Sequence, residues 1–346
     1  MTSTDRFTVI GENLHATRVM RRTDPRVAVD ERGAESVSFV DDNGRPGLLP
    51  ISDAELDSAS YKEGRVKHVR LAIQTAIRNA EPAASTARAY LKSVVDGQLA
   101  AGADYLDLNV DEVSLDLDEQ MESMRWLVRM VGSWTTTPVA IDSPNTVIIA
   151  AGVEQALQGS STPPMVNSAS LERLDALDLA VSADAPVIVT AAGESSMPKD
   201  DDGRVENAAR MVELALARGI PLERIYIDPL VFPISVDSNS GGHCLSAIRR
   251  LRDRYGPEIH VTGGFSNVSF GLPNRRLVNE AFLMLAIDAG ADSGIIDPVA
   301  TSVAHALALD KSSRPYQLAV DTLTGQDRGC RRYLSAYRAG ELSAVS

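Results

Sequence analysis

Seven short stretches of this chain place an amide or carboxylate where an apolar run stops. Asp107 and Asn109 close LDLNV (106–110), Asp142 closes VAID (139–142), Asp228 closes IYID (225–228) and Asp297 closes SGIID (293–297). Asn13 lies at the end of FTVIGENL (7–14), Asn167 follows Met165-Val166, and VTGGFSNVSFGLPNRR (261–276) presents Ser266 and Asn267 after Gly263-Gly264. A carboxylate only accepts hydrogen bonds, whereas an amide both donates and accepts. Together they suit a heterocycle with adjacent N–H donors and ring acceptors, such as the amino-pyrimidinone edge of a pterin. Asp142 and Asp228 can take guanidine-like N–H groups, and Asn167 a mixed edge. A divalent cation is the rival ligand, because oxygen ligands also suit magnesium; the heterocycle, with no metal, is the reading taken. A βα-turn or N-cap role would explain any one of these residues. Seven strand ends with the same chemistry call for a shared ligand.

The elements that must hold these residues alternate regularly. Strands over 7–14, 105–110, 139–142, 165–167, 187–191, 225–228, the Val261 stretch and 293–297 are separated by helical patterns over 84–101, 117–134, 146–157, 171–181, 205–218, 245–255, 276–289 and 301–309. A further helix is expected over 66–78. Such alternation implies parallel pairing, and unalternating apolar strands imply burial on both faces. Eight units predict a closed (β/α)8 TIM barrel as one domain over 1–346, in which residues at the carboxyl ends of the strands converge on one cavity. No GxGxxG follows the first strand to suggest a dinucleotide. Between the first strand and the 66–78 helix lies a polar insertion, 19–63. SVSFV (36–40) and GLLPI (47–51) flank Asp41-Asp42-Asn43-Gly44 there, a hairpin signal. Since the insertion follows a strand end, it is expected to start on the active-site face, as a cap or docking surface. Residues 311–346 form a C-terminal extension and tail.

Composition excludes several classes. With 47 acidic against 34 basic residues and a net charge of −13, the chain is poorly suited to nucleic acid or an anionic membrane surface. No apolar run approaches the roughly 20 residues a membrane span needs, and Met1-Thr2-Ser3-Thr4-Asp5-Arg6 leads into a strand rather than a signal-peptide core, so a cytoplasmic protein is expected. Cys244 and Cys330 have no zinc spacing. Cys244, beside His243 at a helix start, reads as a buried inert thiol. His260 reads as a core residue, His15 stands equally well in the pocket or outside it, and Met121, Met124, Trp126 and Met130 read as the core face of their helix.

GENLH (11–15), LDLNV (106–110), AIDSPN (140–145), VNSAS (166–170), YIDPLVFPIS (226–235) and GFSNVSF (264–270) together resemble the pterin-binding methyltransferases: the methyltetrahydrofolate:corrinoid protein methyltransferases and the folate domain of cobalamin-dependent methionine synthase. The likeness runs from about Phe7 to Asp297 with the motifs in family order. It implies a dihydropteroate synthase-like barrel that exchanges a methyl group between N5 of tetrahydrofolate and the cobalt of a corrinoid (cobalamin) carried by a partner protein. It further implies a homodimer; it leaves the direction of transfer open, and the free-standing form suits a demethylation pathway that delivers methyl groups to folate. By motif, Asp142, Asn167 and Asp228 are the implied pterin ligands, supported by Asp107, Asn109, Glu12, Ser266 and Phe270, with Asn267 as the catalytic residue reaching N5. Arg275 and Arg276 are the candidate contacts for the folate's glutamate tail. Phe270 stands where the corrinoid iron-sulfur branch has Gln, as in the methionine synthase branch. Dihydropteroate synthase itself and a non-catalytic folate-binding protein are the alternatives; the synthase needs a Ser-Arg pair where this chain has Ser266-Asn267. No histidine stands in a DxHxxG-type corrinoid loop, so the corrinoid is expected on a separate protein.

Overall fold

The computed structural model describes residues 6–31, 33–160 and 162–342. Expectations placed on residues 1–5 and on the tail beyond residue 342 lie outside the described residues.

Eight strands form one sheet: β1 (Thr8–His15), β2 (Tyr105–Asn109), β3 (Val139–Asp142), β4 (Met165–Ala169), β5 (Val187–Thr190), β6 (Ile225–Asp228), β7 (His260–Val261) and β8 (Ser293–Ile296). Their order is β7-β6-β5-β4-β3-β2-β1-β8. A parallel bridge between Gly264 and Ile295, with the Ile295 amide 2.9 Å from the Gly263 carbonyl, brings β8 back against the chain leaving β7. The fold is a (β/α)8 barrel. Helices follow the strands: α1 (Ala83–Ala100), α2 (Leu117–Trp134), α3 (Thr146–Gly159), α4 (Asp175–Ser182), α5 (Asp201–Ala217), α6 (Ser240–Tyr255), α7 (Arg275–Ala289) and α8 (Val303–Leu307). Helix starts carry the residues that can satisfy free amide N–H groups. Asp116 caps α2 through the Glu119 amide, Asn145 caps α3 through Val147, and Asp200 caps α5 through Gly203.

Contacts gather the chain into two compact units, one of residues 11–164 and one holding the chain up to Ile10 and from Met165 on. In the first, β2 and β3 pair in parallel, with Asp107 opposite Ala140 and Asn109 opposite Asp142. The buried face of α2 is Met124, Leu127, Val128 and Val131, the i, i+3, i+4, i+7 stripe; Met121, Trp126 and Met130 are only half-buried, so the core face is narrower than the methionine spacing implies. The insertion holds more than a hairpin. Val27–Val29 adds a third antiparallel strand to Glu35–Val40 and Pro46–Pro50, too short to stand out in the sequence. This small sheet buries Val37 and Leu49, sets Phe39 edge-on to Tyr90 of α1 at 5.3 Å, and places Asp42 3.4 Å from Lys92. Gly47 lies under Phe39, where a Cβ would come within 2.4 Å of the ring. The sheet therefore lies along α1. The helix before α1 runs His68–Arg78.

In the second unit β4, β5, β6 and β7 pair in sequence, all parallel. The Val261 stretch departs most from expectation. Its strand covers only His260–Val261, and Asn267 rides on a 3-10 turn, Phe265–Ser269. The cause is Phe265, fully buried with its ring against Phe282 at 5.8 Å and Phe7 at 6.5 Å. A Cβ on Gly263 or Gly294 would meet that ring at 2.9 or 2.8 Å, so glycine at both positions lets the chain fold around it. Two helices, Arg314–Leu323 and Arg331–Arg338, follow α8. His260 is half-buried rather than core: its Nδ1 lies 3.1 Å from Asp292 and its ring stacks on Tyr226 at 4.3 Å.

Candidate active site

In the unit of residues 11–164 the strand ends form one polar cluster. Residues two apart on a strand share a face, so Asp107 and Asn109 point the same way from β2. Parallel register then sets Asn109 beside Asp142 of β3, and its Nδ2 donates to Asp142 at 2.9 Å and to Asp111 at 2.6 Å. Ser143 donates to the other Asp111 oxygen at 2.6 Å, and the Asp111 amide donates back to Asn109 Oδ1 at 3.0 Å, an Asx turn closing the loop after β2. The Ala16 amide donates to the Asn109 carbonyl at 2.9 Å, which seats the end of β1 against β2. His15, the last residue of β1, thereby reaches Asp107, Nε2 to Oδ2 3.0 Å. Glu12 pairs with Arg18 at 3.5 Å. Gly11 is required by packing: Gln98 of α1, wholly buried, accepts from the Asn13 amide at 2.9 Å, and a Cβ on Gly11 would come within 2.4 Å of its Oε1.

Electrostatics in this cluster are dominated by two adjoining carboxylates. Burial and the Asp107 charge push Asp142 up to about 7, against the opposing pull of His15 and the Asn109 hydrogen bond. Burial alone would lower His15, but its bond to Asp107, with the charges of Asp107, Asp142 and Glu12, raises it to about 9. One nitrogen of His15 and one oxygen each of Asp107 and Asp142 lie within 4.8 Å of one another, near enough to share a cation. A His15 ring protonated on both nitrogens would have no lone pair for a metal. His15 was left undecided by its sequence position; the signal was its place in strand register, two residues beyond Asn13.

In the second unit Asn167 is buried in the middle of β4, which runs two residues past the expected end at 167; the register with β5 shifts between Ile188 and Val189, and the Asn167-Ser168 peptide is cis. A bulge of this kind re-aims side chains. Asp228 closes β6 opposite Thr190; its Oδ1 accepts from the Leu230 amide at 2.8 Å. Burial raises Asp228 to about 6, opposed by that bond and by the charge of Arg204. Arg204, almost wholly buried, donates to the Asp200 and Leu230 carbonyls at 2.9 and 3.3 Å and so braces the Asp228 loop. Asp297 is a turn residue, accepting from the Val299 and Ala300 amides.

Asn267 and Ser266 sit together on the 3-10 turn. The Asn267 Nδ2 folds back over Gly264, at 2.9 Å from where a Cβ would stand. Ser266 is buried and its Oγ has no hydrogen-bond partner among the described residues. Arg275 binds the far end of the turn, donating to Ser269 Oγ at 2.9 Å and the Ser266 carbonyl at 2.8 Å, with its guanidinium 4.5 Å from the centre of the Phe270 ring. Arg276 instead donates to Glu280 one turn along α7, at 3.0 Å. Cys244 is buried and its thiol is pushed up to about 12, the inert group its position implied.

The residues present fit a pterin. Asp142 and Asp228 are half-buried, neither has a lysine or arginine at ion-pair distance among the described residues, and a desolvated carboxylate calls for N–H donors. The orphaned Ser266 hydroxyl is a further buried polar atom that a ligand would satisfy.

Comparison with known proteins agrees. The dihydropteroate synthase of Xanthomonas albilineans in complex with 7,8-dihydropteroate superimposes with a TM-score of 0.56 over 88% of this chain and 93% of that one, at 17% identity. That likeness defines the class by fold, a barrel of the dihydropteroate synthase type. The family model described as pterin binding enzyme matches residues 83–297. A methylcorrinoid:tetrahydrofolate methyltransferase of Eubacterium limosum is 32% identical over 263 residues, 74% of this chain and 90% of that protein. This chain belongs to the pterin-binding enzyme family. Mycobacterium tuberculosis methionine synthase is 31% identical over 218 residues, 59% of this chain but 18% of that much longer protein. Among the described residues no helix is long and apolar enough to cross a membrane.

Proposed function

We propose that the chain is a methyltransferase acting between a methylated corrinoid on a partner protein and N5 of tetrahydrofolate. The observation that carries the reading is the pair of half-buried strand-end carboxylates, Asp142 and Asp228, each raised towards neutrality by desolvation and neither in an ion pair with a lysine or arginine among the described residues. Its support from relatives is the methylcorrinoid:tetrahydrofolate methyltransferase, matched over most of both chains. The corrinoid would supply the methyl group and keep the electron pair of the breaking bond, while N5 forms the new bond and sheds its proton.

The protein's own part is positioning. Asp142 and Asp228 accept the ring's N–H groups, Asn167 reads the mixed edge, and Asp107 and Asn109 hold Asp142 in place. Methyl transfer is a displacement at carbon, so rate depends on keeping nucleophile, methyl and leaving group in line. Asn267 can accept from a protonated N5 and donate to an unprotonated one, which lets one amide serve both stages without titrating. Arg275, anchored to the same turn and stacked on Phe270, is the better placed of the two arginines for the glutamate tail; Arg276 is engaged by Glu280.

The test is transfer from methylcobalamin to tetrahydrofolate, followed by loss of the methylcobalamin spectrum. The wild type turns over, and Asn267→Ala falls about ten- to a thousand-fold, the scale of one lost preorganised hydrogen bond. An undiminished rate in that variant removes the role of Asn267. No transfer by the wild type, with condensation of a dihydropterin pyrophosphate and 4-aminobenzoate instead, makes the protein a dihydropteroate synthase.

A further inference from the structure

The end of β1 carries a group that the pterin reading does not use. His15 has a side chain only 15% exposed and reaches Asp107, itself 1% exposed, at 3.0 Å. Charged groups facing the imidazole are Asp107 from β2, Asp142 from β3 and Glu12 from its own strand; beyond Asp142 lies Asp111, while Asn109 between them is neutral. Two carboxylates side by side in a dry site repel, and ordinarily one of them takes a proton. A carboxylic acid O–H cannot accept from a ligand's N–H at that oxygen. The site described above therefore needs Asp142 ionised next to Asp107, and in this cluster the nearby positive charge that can permit it belongs to His15.

Resting on the folate reading, we propose that His15 is a positioning residue of the binding site: as an imidazolium bonded to Asp107, it offsets one of two adjoining negative charges, so that Asp142 meets the ligand's N–H donors as a carboxylate. The charge, and not merely the shape, of the side chain matters. Glutamine keeps an N–H donor near the Nε2 position and removes the charge; lysine keeps the charge.

The experiment is anaerobic calorimetric titration with tetrahydrofolate from pH 5.5 to 9 on wild type, His15→Gln and His15→Lys, each first shown to melt cooperatively. In His15→Gln the midpoint of the affinity profile moves up by about one pH unit, so affinity falls about fivefold at pH 7, about tenfold at pH 5.5, and recovers by pH 9. His15→Lys keeps a midpoint near that of the wild type. Equal weakening at every pH, or an unmoved midpoint, would make His15 a packing residue and overturn the proposal. Should the glutamine variant fail to fold, histidine-labelled wild-type protein decides by NMR: a His15 ring protonated at pH 7.5 supports it, and a neutral ring overturns it. A wild type that binds no folate at any pH defeats the functional reading itself, an outcome distinct from an unmoved midpoint in a protein that binds.

Discussion

At the scale of single residues, the proposed site offers half-buried acceptors to a ligand's N–H groups. The strand-end carboxylates Asp142 and Asp228 have folded-state values of about 7 and about 6, both above the ordinary carboxylate range because burial disfavours the charge. A raised acid favours the folded state when protonated, so the ligand-free protein has this stabilisation in full below about pH 4 and loses it as pH rises through 6 and 7. Ligand N–H donors act in the opposite sense, favouring the ionised forms. Folate affinity should therefore fall as pH drops through 7 and then 6, and binding at pH 6 should release protons, measured as a dependence of calorimetric heat on buffer ionisation enthalpy. Proton uptake on binding would contradict the roles of both aspartates. That Asp142 and Asp228 stand at the ends of their strands was legible from the end of each apolar run. Several also close Asx turns, the alternative role open to any one of them: Asn109, Asp228 and Asp297 each accept from a backbone amide two residues on. For Asn109 the turn leaves an amide for Asp142, while Asp297 accepts from the Val299 and Ala300 amides. His15 was not legible, because its partner lies 92 positions away in sequence.

At the scale of elements, alternation of strand and helix was readable because parallel barrel strands are apolar on both faces and helix starts carry Asp and Asn caps. Two elements were misread for identifiable reasons. The Val261 strand is cut to two residues by a turn built around Phe265, and the glycines that permit this look the same in sequence as a strand-end loop. The insertion's third strand has three residues, below what patterning can register. The resulting sheet packs on α1 through Phe39 and Tyr90, with Leu49 fully buried beneath it. Leu49→Ala should cost about 2–5 kcal/mol locally, seen as faster amide hydrogen exchange over residues 27–50. Folate affinity should hold while turnover with the corrinoid partner falls. Unchanged turnover in a variant with a loosened insertion would remove the capping and docking roles expected of it.

At the scale of the whole molecule, the fold and the chemistry come from different sources of constraint. Solved dihydropteroate synthases share the barrel at 17% identity, too distant to carry an activity, whereas the corrinoid-linked relative shares 32% of residues over most of both chains. Ser266-Asn267 on the last site-bearing turn supplies an amide, where a pyrophosphate leaving group would call for positive charge. The central claim is that strand-end carboxylates bind a reduced folate. Titration of wild type and Asp228→Ala with tetrahydrofolate, and separately with a dihydropterin pyrophosphate, tests it most directly. Micromolar tetrahydrofolate binding that Asp228→Ala loses, with the variant still folded, is the result predicted. Binding of the pyrophosphate alone, or folate binding indifferent to Asp228, would contradict it.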